Sequence, residues 1–247
     1  MPWDATKATP SLEVVYGSRL YGTHRETSDY DSVGFVIPPS EYRLGLYNSD
    51  GSRMSFKTLV SQTDENDRTI HDAEKFIRLL VKGNVTAIEV VFAAACSKNV
   101  IHLDTFGIGL VEDRHKFLSK QLYPIFRGFA KSELRKAFGE TAGALGVIRK
   151  EALAKHGYSP TNAYQCIRLL DEGRRLLCEG DIQFPFLPSE VAFYQLVRDG
   201  TLDPKVVRAL IEEKINQLDR ANDVSFLPDH PDYVVVNWYL KSLDQRA

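Results

Sequence analysis

The most chemically loaded stretch of the chain is Gly17-Ser18-Arg19-Leu20-Tyr21-Gly22-Thr23, followed after a short interval by Asp29-Tyr30-Asp31. Gly17 closes the β-rich run Leu12–Tyr16 and Gly22 follows closely, so the backbone can turn sharply there and offer unencumbered N–H groups to a phosphate. Asp29 and Asp31 stand two apart at the expected start of a strand, where alternation sends both carboxylates to one side. Two carboxylates on one side repel each other unless something positive lies between them. A hard divalent cation with oxygen ligands removes the repulsion, and magnesium held partly by substrate phosphates suits so partial a carboxylate site. The chemistry this suggests is metal-assisted phosphoryl or nucleotidyl transfer. Taken singly, Gly-Ser is a common turn and Ser28-Asp29-Tyr30-Asp31 an ordinary solvated loop. The order strand, Gly-Ser, short turn, Asp-x-Asp, strand is far more specific.

Other candidates have simpler explanations. Thr86 and Glu89 have capping-box spacing at the head of an apolar run, which accounts for Glu89 structurally. Lys75 and Arg168 are cations on otherwise apolar helical stretches, open to a triphosphate contact or to snorkelling at the surface. His71, His102 and His115 lack metal-ligand spacing, and His24 reads as a substrate-side contact rather than a catalyst.

The elements that would hold these residues fall into two kinds. Leu12–Tyr16 and Val33–Ile37 read as strands stopped by Gly17 and by Pro38-Pro39. Residues 42–47 and 54–60 flank the turn formers Asn48-Ser49-Asp50-Gly51-Ser52 and read as a hairpin. From Asp72 the period changes. Ala73, Phe76, Ile77, Leu80 and Val81 make a helical stripe that Gly83-Asn84 ends. Further helices are expected from Thr86 on and over 118–138, 161–178 and 189–198, with another from the Asp203-Pro204 start to about Arg220. Val234-Val235-Val236 favours a strand but Trp238, Leu240 and Leu243 suit a helix, and helix is the reading adopted for 233–243. The fold class is therefore α+β: a small mixed-sheet domain over 1–113, then a helical, substrate-binding domain over 114–247.

Composition excludes several classes. With 247 residues, 43% hydrophobic and 26% charged, the chain has enough apolar material for one or two cores and is neither disordered nor fibrous. No apolar run approaches the ~18 residues of a membrane span. The opening Met1-Pro2-Trp3-Asp4 lacks the order of a secretory signal, so a cytoplasmic location is expected. Cys96, Cys166 and Cys178 are odd in number and widely spaced, which fits neither a disulfide framework nor a zinc site. The formal charge of −2 argues against a general nucleic-acid coat. Yet Arg114, Lys116, Lys120, Arg127, Lys131, Arg135, Lys136, Arg149, Lys150 and Lys155 outnumber Glu133, Glu140 and Glu151 in one stretch, which could face a polyanion or simply be a solvated surface.

The Gly17–Thr23 and Ser28–Asp31 motifs resemble the DNA polymerase β-like nucleotidyltransferase superfamily, and more closely its RlaP type, the RNA repair pathway DNA polymerase beta family. Lys75-Phe76 with Lys82-Gly83-Asn84 and Glu89, the Arg168-Leu169-Leu170 helix running to Gly180, and Asp199-Gly200 are similar to the same family, so the resemblance runs from about residue 12 to 202. It implies transfer of a nucleoside monophosphate from a nucleoside triphosphate to a hydroxyl, with pyrophosphate leaving. Gly17, Ser18 and Arg19 would bind the nucleotide. Asp29 and Asp31 would hold magnesium, in a two-metal site where manganese can substitute. The superfamily's third carboxylate is assigned to Asp67, whose spacing to Lys75-Phe76 resembles the family's and which shares a strand face with Thr69 and His71. The competitor, Asp72, is better explained as an N-cap. Val85 and Gln165 stand where the family often has Pro and His, which puts substrate specificity in question. The implied acceptor is an RNA end. A protein hydroxyl, a small molecule, a hydrolase reaction, or a catalytically silent nucleotide- or RNA-binding module are the competing readings.

Overall fold

A computed structural model describes residues 3, 7–54, 57–62, 66–140 and 146–245. The chain forms two compact units. The first runs to Phe117 and takes in Gln183–Pro185 and the stretch from His230; the second comprises Leu118–Ile182 and Phe186–Asp229. The C-terminal stretch, grouped with the helical half by sequence, thus packs in the first unit.

The first unit is built on a five-stranded mixed sheet of β1 (Leu12–Tyr16), β2 (Asp31–Val36), β3 (Thr58–Gln62), β4 (Asp67–Asp72) and β5 (Val100–Leu103), in the spatial order β3-β4-β2-β1-β5. β2 and β4 are parallel, and the other neighbours antiparallel. The register pairs Leu12 with Phe35, Val14 with Val33 and Tyr16 with Asp31, and sets Val33 and Phe35 beside Thr69 and His71. One sheet face therefore grades from an apolar end, where Leu12, Val14 and Phe35 are fully buried, to a polar end formed by Tyr16, Asp31 and Asp67.

Helices cover the apolar end. α1 (Gly17–Tyr21) and α2 (Ser40–Leu44) are single turns. α3 (Ala73–Val81) starts on Asp72, whose carboxylate accepts from the Lys75 backbone N–H at 2.9 Å, and buries the stripe Ala73, Phe76, Ile77 and Leu80. Phe76 stacks on Phe35 with ring centroids 4.7 Å apart. Burial of each of the larger side chains, Phe76, Ile77 and Leu80, contributes about 1.5–3 kcal/mol, so this face anchors the sheet. α4 (Val85–Ala94) is buried along its whole length, α5 is Thr105–Glu112, and α11 (Tyr233–Ser242) packs near α3. The C-terminal run is thus helical, as its Trp238, Leu240 and Leu243 spacing indicates.

Among the described residues the second unit is built of helices: α6 (Leu122–Ala137), α7 (Val147–His156), α8 (Pro160–Glu179), α9 (Pro188–Arg198) and α10 (Pro204–Val224). α8 is its core, with Cys166, Ile167, Leu169, Leu170, Leu176 and Leu177 buried between α6 and α10. Proline opens α8, α9 and α10, and Asp203 caps the last through the Lys205 N–H at 2.8 Å, the Asp-Pro start visible in the sequence. The three cysteines are free, and burial pushes the Cys166 thiol up to about 12.

Two expectations need correction. Residues 42–44 belong to α2, not to a hairpin arm. A short hairpin survives around the Tyr47–Arg53 bridge, closed by Met54 N–H donating to the Leu46 carbonyl at 2.6 Å. β3 pairs instead with β4. Residues 55 and 56 of the expected arm, and Asp64 and Glu65 of the acidic run before Asp67, lie outside the described residues. The second correction concerns α4. Its N-cap is Asn84, which accepts from the Ala87 N–H at 3.1 Å. With the helix starting at Val85, Thr86 and Glu89 fall inside it and form no capping box.

Candidate active site

The Gly-Ser motif forms an elbow between β1 and α1. Gly17 has φ of 66°, a left-handed conformation that glycine adopts without penalty. A Cβ at Gly17 would collide with the Asp31 carboxylate oxygen Oδ2, so the missing side chain lets that carboxylate lie flush against the elbow backbone. Gly22, with φ of 77°, ends the single turn, and the Thr23 N–H returns to the Ser18 carbonyl at 2.9 Å.

The carboxylates come from two parallel strands. Asp31 opens β2 and Asp67 opens β4, one residue before the paired Ser32 and Arg68, so both lie on the face that carries Val33 and Thr69. Burial, then the negative charges of Asp67 and Asp29, raise the Asp31 carboxyl above the usual aspartate range, with Arg19 opposing them. Arg19 also has a mechanical role. Its guanidinium donates to the Asp29 carbonyl at 3.2 Å and to the Ser28 carbonyl at 2.8 Å, and sits 5.6 Å from the Tyr30 ring centroid. It fixes the loop from which Asp29 and Asp31 emerge.

Asp31 and Asp67 line a cavity of about 520 Å³ together with Tyr16, Ser32, Val33, Thr69, His71, Lys75, Leu79, Asn84 and Thr86. Lys75 donates from Nζ to the Thr58 hydroxyl, which lies 3.1 Å from His71 Nδ1. Burial and then the Lys75 charge push the His71 imidazole down to about 4. His71 is therefore neutral at physiological pH and offers the cavity a hydrogen-bonding group without charge. Gly17, Ser18, Arg19 and Asp29 are not among the residues lining this cavity. The elbow meets it through Asp31, and Asp29 acts on it electrostatically.

Among the described residues no three His, Cys, Asp or Glu side chains form a ready metal cage. The donors present are carboxylate oxygens of mutually repelling groups. That set suits a hard cation, and magnesium, which keeps waters and substrate phosphates in its shell, needs only one or two carboxylates from the protein.

Three other candidates are accounted for elsewhere. Asp72, 3% exposed, points to the opposite side of β4 as the cap of α3. Arg168 is no snorkelling surface residue: it is buried in the second unit and pairs with the fully buried Glu172 at 2.6 Å. Glu89 is fully buried and accepts hydrogen bonds from the Tyr16 and Tyr21 hydroxyls. Sequence reasoning overlooked Tyr16, Thr58, Asn84 and Thr86 in and around the cavity. For Tyr16 a signal existed, since it occupies the strand position before the elbow and alternates with Leu12 and Val14.

The sequence profile of the RNA repair pathway DNA polymerase beta family matches residues 11–156, a span that contains the elbow, all three aspartates, the cavity and the whole of the basic stretch. No curated protein matches the chain. Among solved structures, a nucleotidyltransferase-like protein from Exiguobacterium sibiricum 255-15 aligns over 98% of this chain and 76% of its own, with 11% identity and a TM-score of 0.28. Among the described residues no helix is long and apolar enough to cross a membrane.

Proposed function

This chain belongs to the RNA repair pathway DNA polymerase beta family, and from that premise we propose that it is a magnesium-dependent nucleotidyltransferase acting on a hydroxyl of an RNA end. The observation that carries the reading is the juxtaposition of Asp31 and Asp67 in one cavity, where burial and like charge raise Asp31, with Asp31 against the Gly17 backbone. A protein that only needed a stable sheet would not keep two like charges side by side.

Asp29, Asp31 and Asp67 are the residues that would hold magnesium, which when bound supplies charge neutralisation at the phosphates and at the departing pyrophosphate. The amides at Gly17 and Ser18 bind triphosphate oxygens. Lys75, a cation on the wall of the cavity, balances the remaining phosphate charge, and neutral His71 hydrogen-bonds without competing for it. Arg19 positions the Asp29 loop. The acceptor hydroxyl oxygen attacks the α-phosphorus, its proton passes to Asp67, and the bond from the α-phosphorus to the bridging oxygen breaks to release pyrophosphate.

RNA as acceptor is supported by the family description and by the basic stretch. There Arg127 pairs with Asp219, Lys136 with Glu133 and Arg208 with Glu140. Arg135, Arg149, Lys150 and Lys155 make no ion pair among the described residues, which leaves positive charge for phosphates. The test is incubation with magnesium, each α-labelled nucleoside triphosphate in turn and a small-RNA pool, beside the Asp29→Asn/Asp31→Asn variant. Label joining RNA in the wild type alone is expected. Label on the protein, or free nucleoside monophosphate, would reassign the acceptor, and no metal-dependent turnover would overturn the reading.

A further inference from the structure

Glu89 is fully buried in α4, and the chemistry above makes no use of it. Its two carboxylate oxygens serve two different phenols: Oε2 accepts from Tyr16, and Oε1 accepts from Tyr21 at 3.1 Å. The Tyr16 hydroxyl also lies 3.2 Å from Thr86 Oγ1, on the first turn of the same helix. These phenols are not arbitrary partners. Tyr16 is the last residue of β1, immediately before Gly17, and Tyr21 is the last residue of α1, immediately before Gly22. One carboxylate thus ties down both ends of the Gly17–Ser18 elbow.

Burying a carboxylate carries a desolvation cost, and an apolar side chain between two phenyl rings would fill the same space without it. What the acid adds is direction. Its hydrogen bonds are charge-assisted and fix the phenols relative to α4, a helix anchored by its Asn84 cap and packed on β1. Tyr16 also pairs with Asp31 across the β1–β2 ladder, so its placement is shared with the carboxylate that overlies Gly17. We propose that Glu89 is a positioning residue: through Tyr16 and Tyr21 it holds the elbow amides and Asp31 in register for the nucleotide. The effect on turnover rests on the nucleotidyl-transfer reading; the effect on the elbow does not.

The experiment is hydrogen exchange followed by mass spectrometry on the full chain, in wild type, Glu89→Gln, Glu89→Leu and Tyr16→Phe/Tyr21→Phe, with steady-state kinetics alongside. The double phenylalanine variant removes two hydroxyls and keeps both rings, so it reports even where Glu89→Leu does not fold. Elbow amides of residues 18–22 are expected to exchange about tenfold faster in Glu89→Leu and the double variant, with α8 amides unchanged. Glu89→Gln, which retains hydrogen-bonding atoms, shifts them by less than about threefold. The KM for the triphosphate rises about tenfold in the first two variants, and kcat moves less. Unchanged elbow exchange, or an equal acceleration throughout the first unit, would overturn the assignment. The expected exchange pattern in a wild type that turns over no triphosphate would sustain the assignment and sink the transfer reading.

Discussion

Neighbouring residues on the same three strands meet opposite electrostatic fates. On one face of the sheet Glu13 accepts from both Arg68 nitrogens at 2.8 and 2.9 Å and from the Ser32 hydroxyl at 2.7 Å. Burial by itself would raise the Glu13 carboxyl, but the Arg68 and Ser32 hydrogen bonds and the Arg68 charge outweigh it and hold it below the usual glutamate range. On the other face, one residue along from Ser32 and Arg68, stand Asp31 and Asp67. There burial and then the charges of Asp67 and Asp29 raise Asp31, with Arg19 opposing them. The first cluster sets its acid against a cation and stabilises the sheet; the second sets like charges side by side on a cavity wall. Acidity on a strand is thus not informative by itself, whereas an acid raised by burial and by a like charge in a cavity marks a candidate site.

The contrast can be broken by substitution. The largest effect is expected from Asp31→Asn/Asp67→Asn, where transfer of label from triphosphate to acceptor falls by about 10³-fold or more, since charge stabilisation of the leaving pyrophosphate goes with the carboxylates. Circular dichroism and denaturant midpoints of that variant stay at or above wild type. On the opposite face the pattern inverts. Arg68→Leu strands a buried carboxylate and destabilises by about 2 kcal/mol in urea unfolding, a figure discounted because Arg68 is partly exposed. Gly17→Ala loses about 1 kcal/mol from its left-handed backbone alone, and weakens nucleotide affinity because the new methyl displaces Asp31.

A pH series sharpens the comparison. The folded pKa of Glu13 is depressed, so its contribution is fully present above the ordinary glutamate pKa of about 4.3 and is lost as pH falls through the lower folded value. The stability gap between wild type and Glu13→Gln is therefore expected to be constant near neutrality and to close on acidification. Asp31 has the opposite sign: its folded pKa is raised, so ionisation costs stability as pH rises through it. The smallest effect follows, a gain of about 0.5 kcal/mol in Asp31→Asn after allowance for solvent screening, measured by thermal unfolding without magnesium. A loss there would mean that Asp31 is a structural partner.

Much of this was legible in local sequence. Strand alternation places Asp67, Thr69 and His71 on one face, the glycines mark both ends of the elbow, and Asp72 before an apolar stripe reads as a cap. What escaped depends on distant partners or on competition between neighbours. The sheet order β3-β4-β2-β1-β5 sets Asp31 beside Asp67 through a parallel pairing that no local pattern encodes. Thr86-x-x-Glu89 looks like a capping box, but Asn84 caps first, and Glu89 turns to phenols about seventy residues earlier. Arg168 looked exposed until Glu172, one turn on, is seen to share its burial; that i,i+4 pairing was available in the sequence. Elements as short as α2 and β5 carry too few residues for a period to register.

The central claim is that the Asp31–Asp67 face is completed by a cation and a nucleotide. Its most direct test is calorimetric titration of wild type and Asp31→Asn/Asp67→Asn with a non-hydrolysable nucleoside triphosphate, with and without magnesium. Binding that requires magnesium in the wild type and is lost in the variant is the expected result. Equal affinity in both proteins, or affinity indifferent to magnesium, would contradict the account.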